Sequence, residues 1–383
     1  MPIDLSHISL ADDHCHGIYR KQGPMDIKTW RQHFTESHDQ SMRDTQVATT
    51  LFYRRLIRAM ASFFDCEPIE SAVLTAREQY GEERLHRALL QDANFAVLFV
   101  DKGYPPEDVL LPDAQLSTLA NCRVAPMLRV EVLMQRLIAE HGNLDGVVDA
   151  LQLALHDVRS QGYVALKSVV AYRTGLAIHR WDKEAVLASF AEARREVEVN
   201  GAVRLAHKPL LDTLLFVTFD AAAEQELPIQ FHVGYGDTDA DMLLANPLHL
   251  RTVFEMPEYR SMPVVLLHEC YPYTRQGAYL ASVYENAYLD ISYGIPFLGY
   301  SEMLDFTRAA LGVAPFSKLL YSSDGVGVPE LHWLSAHTGR RIVGQVLEEC
   351  VTNGDLDNGE IEVAASAILR DNAMQLYRVE EGA

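Results

Sequence analysis

Short apolar runs recur along the chain, separated by stretches of helical periodicity. Eight stand out, at 8–16, 95–100, 124–130, 164–170, 229–233, 264–268, 287–291 and 319–323. Each is strand-length and apolar without alternation, the pattern of strands buried on both faces. Between them, Leu144, Val147, Val148, Leu151, Leu155 and Val158 recur at three- and four-residue spacing, which lays one apolar stripe along a helix. Further helices are predicted over 184–199, 210–226, 276–284, 301–311, 330–351 and 360–377. Strand and helix in alternation give an α/β fold, most simply a closed (β/α)8 TIM barrel; the pattern alone also accommodates an open doubly wound sheet.

One stretch breaks the alternation. Residues 25–91 are too many for a single crossover, and they carry at least two helical patterns, Phe52, Leu56, Met60 and Phe63 forming one of them. This predicts a helical insertion after the first strand. Barrel enzymes build their sites at the C-terminal mouth, so an insertion there is expected to cap the substrate pocket. The 383 residues are expected to form one elaborated barrel, since such barrels run well past the usual domain length.

Composition narrows the function. At 48% hydrophobic residues the chain can bury a large core unaided, and a net charge of -20 would repel nucleic acid and anionic membranes. The five cysteines are scattered, with no C-x-x-C pair, so neither a disulfide framework nor a structural zinc knot is implied. The start of the chain lacks the features of a signal peptide, and no apolar stretch approaches a membrane span. The expectation is a cytoplasmic protein with a small-molecule partner, no nucleic acid and no membrane, and a homo-oligomer as is common for soluble enzymes. No phosphate-cradling glycine loop, G-x-S-x-G elbow or G-x-G-x-x-G follows a strand, which disfavours nucleotide-dependent and serine-nucleophile chemistry.

The candidate chemistry sits at strand ends. His14 and His16 close the first run two residues apart, and the strand period of two turns both imidazoles to one side as a chelating pair. Alone, this motif is equally well two packed or surface histidines. Its weight comes from His232, His268 and Asp324, which close three more apolar runs. In a barrel those ends converge on one mouth, and burying so many polar groups without partners would cost about 1–3 kcal/mol each.

Lys167 lies inside the apolar run Ala-Leu-Lys-Ser-Val-Val, where a lone ammonium is costly. Two readings stand: carboxylation by carbon dioxide to make a bridging ligand, or a salt bridge to Asp324 or another acid. Arg173 follows the same run and suits bidentate binding of a substrate carboxylate, or an ordinary loop ion pair. Asp237 and Glu330 follow ligand-bearing runs. They read either as substrate-orienting acceptors or as acids placed at helix starts. Nine of the eleven other histidines, His33, His38 and His86 among them, have no strand-end context and receive no role.

These segments resemble the amidohydrolase superfamily, in particular the branch that includes the hydrolase-like domain of nodulin/glutamine synthetase fusion proteins. The likeness rests on Asp-Asp-His-Cys-His-Gly at 12–17, Leu-Lys-Ser-Val-Val-Ala-Tyr-Arg-Thr-Gly-Leu at 166–176 and Phe-His-Val-Gly-Tyr-Gly-Asp at 231–237. It continues through Leu-Leu-His-Glu-Cys-Tyr-Pro-Tyr at 266–273, Leu-Tyr-Ser-Ser-Asp-Gly at 320–325 and the closing Asp-Asn-Ala-Met-Gln-Leu-Tyr at 371–377. The resemblance implies one or two divalent ions, zinc in the first place with manganese or iron as alternatives, held by His14, His16, Lys167, His232, His268 and Asp324. It implies that Asp324 moves the proton of an attacking water, with His268 and Lys167 as further catalytic groups and Arg173, Asp237 and Glu330 toward the substrate. The expected reaction is cleavage of a C–N bond in a small carboxylate-bearing compound. Related branches make a metal-dependent decarboxylase the second reading, and a catalytically silent binding barrel is the third.

Overall fold

The computed structural model describes residues 3–380 except Gln22 and Pro24; Met1, Pro2 and the last three residues also lie outside it. Eight parallel strands form one sheet in sequence order. They are β1 (Leu10–Cys15), β2 (Phe95–Asp101), β3 (Arg123–Arg129), β4 (Ala165–Ser168), β5 (Ile229–Phe231), β6 (Val264–Leu266), β7 (Ala287–Ser292) and β8 (Leu319–Ser322). The first and last strands meet at a seam, where Asp324 N donates to the His14 carbonyl at 3.0 Å and His16 N donates to the Gly325 carbonyl at 2.8 Å. The fold is a TIM barrel, and the open sheet that the pattern also accommodated is excluded.

Alternate strand residues fall into two apolar layers. Ala11, Val97, Phe99, Met127, Val265 and Leu320 pack together inside the barrel. Leu10, Leu98, Leu166, Leu266, Leu289 and Tyr321 face the surrounding helices. This two-sided burial is why the strands read as continuous apolar runs. The expected helices appear at Leu144–Leu155, Lys183–Asn200, Lys208–Gln225, Thr274–Val283, Tyr300–Leu311 and Pro329–Asn353.

The closing segment predicted as one helix over 360–377 is two helices, Glu360–Ser366 and Asn372–Tyr377, joined by a π turn at Ala367–Asp371. The wider turn swings Tyr377 under the barrel, where its ring lies 4.5 Å from that of Phe99 and its side chain is fully buried.

After β1 the chain runs through helices Ile27–Gln32, Leu51–Phe64, Glu70–Tyr80 and Glu82–Ala93. The last of these leads directly into β2 and packs on Pro329–Asn353, as a crossover helix of the barrel does. The extra material is therefore the part before it. Thr50 and Asp26 cap two of its helices through their side chains.

Candidate metal centre

The C-terminal strand ends surround a cavity of about 390 Å³ lined by His14, His16, Lys167, His232, His268 and Asp324, and also by Arg173 and Asp237. Eight of the nine expected site residues are thus brought to one mouth. Glu330 is the exception. It is fully buried in the first turn of Pro329–Asn353 and pairs with Arg77 of the extra segment, Nε to Oε1 at 2.6 Å.

The neighbours of His14, His16 and His232 fix their tautomers. His16 Nδ1 lies 2.9 Å from the Tyr104 carbonyl. A carbonyl only accepts, so Nδ1 carries the hydrogen and the Nε2 lone pair is bare. His14 Nδ1 lies 2.8 Å from Gln230 Oε1, which likewise accepts. The two bare Nε2 atoms then face the same oxygen, Asp324 Oδ1, at 3.7 Å from His14 and 3.6 Å from His16. Tetrahedral metal bonds of about 2.0–2.1 Å set donor atoms roughly 3.4 Å apart. Each of the two Nε2–Oδ1 separations is near that spacing, as for an imidazole lone pair and a carboxylate oxygen that share a divalent transition ion.

His268 approaches the other side of the carboxylate, Nδ1 to Oδ2 at 3.5 Å; His14, His268 and Asp324 form one group able to hold an ion. Both His268 and Asp324 have left-handed backbone, φ 61° and 49°, which costs a residue with a side chain about 1 kcal/mol or more. Asp290 supports this turn by accepting from His268 N at 3.3 Å.

His232 stands apart. Its Nε2 donates to the Tyr235 carbonyl at 2.5 Å, which leaves Nδ1 bare, and its ring lies between Tyr172 at 4.3 Å and His268 at 4.7 Å.

Lys167 is nearly fully buried in β4, and its Nζ lies 3.4 Å from His14 Nε2. Among the described residues no ion pair to it appears within 4 Å, so the salt bridge to Asp324 that was one of its two readings is absent. Burial lowers its pKa to about 8, with Asp101 pulling the other way. Burial also raises Asp324 to about 6, opposed by Lys167, and holds His14, His232 and His268 well below the ordinary imidazole range. Neutral imidazoles are the form that binds metal.

Several residues at this mouth escaped the pattern. Asp101 closes β2 and, with His14 and His16, forms a second group able to hold an ion. It is engaged by Arg129 at the end of β3 and by Gly103 N. Burial would raise its carboxyl, but Arg129, together with His16 and Lys167, outweighs that and holds it below the usual range. The signal was available, for Asp101 ends an apolar strand just as Asp324 does. Tyr235 donates to Asp324 Oδ2 at 2.9 Å. His33, Glu36, His38 and Arg43 of the extra segment line the cavity, and His38 lies 3.7 Å from Asp237 and 3.2 Å from Thr238 Oγ1. Burial pushes Glu36 up to about 7.

The amidohydrolase family model matches residues 142–379, more than half of the chain. The chain belongs to the amidohydrolase family. Among solved structures, a Lactobacillus casei protein assigned as a metal-dependent hydrolase superposes with a TM-score of 0.87 at 28% identity, covering 99% of this chain and 98% of that one. Protein fluG of Emericella nidulans is 28% identical over 404 aligned residues, covering 97% of this chain. This amidohydrolase spans 46% of that relative's length. A uronate isomerase from Bacillus halodurans shares the fold at 14% identity, with a TM-score of 0.63 over 98% of this chain and 94% of its own.

Proposed function

We propose that this amidohydrolase cleaves a C–N bond in a small, carboxylate-bearing substrate, and that the extra segment caps the pocket where it does so. The observation that carries the reading is the convergence of two bare imidazole nitrogens, His14 Nε2 and His16 Nε2, on one oxygen of Asp324 at 3.7 and 3.6 Å. His14, His16 and Asp324 would hold a divalent ion, zinc in the first place, with His268 and His232 beside it. When bound, such an ion supplies Lewis acidity that activates water and polarises a carbonyl.

The protein's own groups do the rest. Asp324, at the mouth beside His14, His16 and His268, is placed to take a proton from water and return it to a leaving nitrogen. His268 is oriented by Ser292 Oγ at 3.2 Å, and its ring borders the space where the substrate carbonyl would lie. Arg173 lines the same cavity with a buried Nε that has no hydrogen-bond partner among the described residues. An unengaged guanidinium in an enzyme cavity suits a substrate carboxylate. The buried Lys167 amine, with no acid paired to it, supports the carboxylation reading over the salt bridge.

The test is elemental analysis of protein purified without chelators, joined to turnover of a panel of N-acyl and γ-glutamyl amides. About one or two equivalents of a transition metal, release of amine without carbon dioxide, and loss of at least about 10³-fold in kcat for Asp324→Asn support the proposal. Carbon dioxide release without amine would replace it with the decarboxylase, and protein that neither takes up metal nor turns over any amide would replace it with the silent barrel.

A further inference from the structure

The barrel floor holds a polar chain that apolar packing does not require. Gln230 on β5, Asp13 on β1 and Tyr377 of the last helix all point into the barrel below the metal centre, and all three are fully buried. Gln230 Nε2 lies 2.8 Å from the Asp13 carbonyl and 2.8 Å from the Tyr377 hydroxyl oxygen. The same Nε2 also lies 3.4 Å from Asp13 Oδ2. At the other end of the amide, Oε1 meets His14 Nδ1 at 2.8 Å.

The directions in this chain are forced. The Asp13 carbonyl can only accept, so the Gln230 group facing it is the NH2, whose second hydrogen points to Tyr377. The oxygen of the amide therefore faces His14, and His14 Nδ1 must carry the hydrogen. Rotating the amide by half a turn would set its oxygen against the Asp13 carbonyl, two acceptors at 2.8 Å, in a site from which water is excluded. The Nε2 lone pair of His14 is thus kept bare by an amide 216 positions away in the sequence.

Resting on the metal-centre reading above, we propose that Gln230, oriented by Tyr377, is a positioning residue that locks His14 in the tautomer able to bind the ion. The closing helix then contributes to metal affinity without touching the site. Two histidines of one strand are held by different means, His16 by a backbone carbonyl and His14 by this side-chain chain, so only His14 is open to disruption by a side-chain change. A role limited to filling the floor would make Gln230 replaceable by an apolar side chain of similar size at no cost in metal binding.

The experiment measures zinc and cobalt(II) dissociation constants by chelator competition for the wild type, Gln230→Met and Tyr377→Phe, with the melting midpoint of each metal-free protein as control. Removing an outer hydrogen-bond partner of a ligand histidine typically weakens metal binding by about 10–100-fold. That loss is expected for Q230M, with a smaller one for Y377F, because Gln230 keeps its bond to the Asp13 carbonyl. The cobalt absorption bands should shift in Q230M. Should Q230M fold poorly, the tautomer is read on wild-type metal-free protein from the ¹⁵N shifts of histidine-labelled chain, with His14→Asn for assignment.

A Nδ1–H tautomer at His14 supports the proposal. A Nε2–H tautomer, or Q230M affinity within about twofold of the wild type, overturns it while leaving the metal-centre reading intact. A wild type that binds no metal overturns both.

Discussion

Tyr235 donates its hydroxyl to Asp324 Oδ2 at 2.9 Å, and this bond leaves Oδ1 facing the histidine pair. The tyrosine reaches the carboxylate because Gly234 turns the chain with φ 77°, where an added Cβ would fall 2.2 Å from the Tyr271 carbonyl oxygen. Tyr235→Phe keeps the ring contacts with His268 and Phe297 but frees the carboxylate to rotate. Metal affinity or kcat is expected to fall by roughly 10–100-fold, with the melting midpoint nearly unchanged. Chelator competition and steady-state kinetics on the same preparations check this; an unchanged variant would mean that the backbone at Asp324 holds the carboxylate by itself.

The sequence pattern captured what repeats and lost what does not. The eight strands are legible because burial on both faces leaves short, mostly apolar runs, and the polar residues that close them mark the mouth. Asp101 obeyed that same rule. Tyr235 and Gln230 did not: one lies in a loop whose turn depends on Gly234, the other sits mid-strand and looks like a misplaced polar residue until His14, 216 positions away, is set beside it. The 25–91 boundary was off at its far end because Glu82–Ala93 and the extra helices share one periodicity. Only contact with Pro329–Asn353 separates them.

Arg173 provides the sharpest test of substrate class. A hydrogen bond to a charged group contributes about 1.5–3 kcal/mol, so Arg173→Met should lower kcat/KM by roughly 10- to 150-fold for substrates bearing a carboxylate. Analogues with that carboxylate amidated should already be poor with the wild type and lose little more with the variant. Kinetics on the matched pair decide the matter, and an equal loss on both analogues would remove carboxylate recognition from Arg173.

Glu330, which reads either toward the substrate or as an acid at a helix start, lies in the first turn of Pro329–Asn353 and is sealed against Arg77 with side chains 0% and 7% exposed. Removing one partner of such a pair strands a buried charge and costs about 3–5 kcal/mol. Arg77→Met should therefore lower the melting midpoint by roughly 4–6 °C, whereas the double replacement Arg77→Met with Glu330→Leu should recover much of it. KM should stay at the wild-type value in the double variant. A large rise in KM with stability restored would return Glu330 to the substrate.

His86 gives the protein a stability loss on the acid side that is independent of the metal centre. Its side chain is 2% exposed and its Nε2 has no hydrogen-bond partner among the described residues. Burial lowers its pKa below the ordinary 6.5, with Glu330 opposing. In the unfolded chain the imidazole takes up a proton as pH falls through 6.5, while the folded protein does not until a lower pH. The unfolded state then binds more protons, so stability is fully present above about 6.5 and is lost as pH falls toward the folded value. One proton accounts for at most about 1.4 kcal/mol per pH unit. Urea unfolding midpoints of wild type and His86→Leu, taken at several pH values from about 8 down to about 5, should converge as pH falls, because the leucine removes this one proton from the balance. Parallel curves would mean that His86 binds its proton equally in the folded and unfolded states, which would remove this source of acid sensitivity.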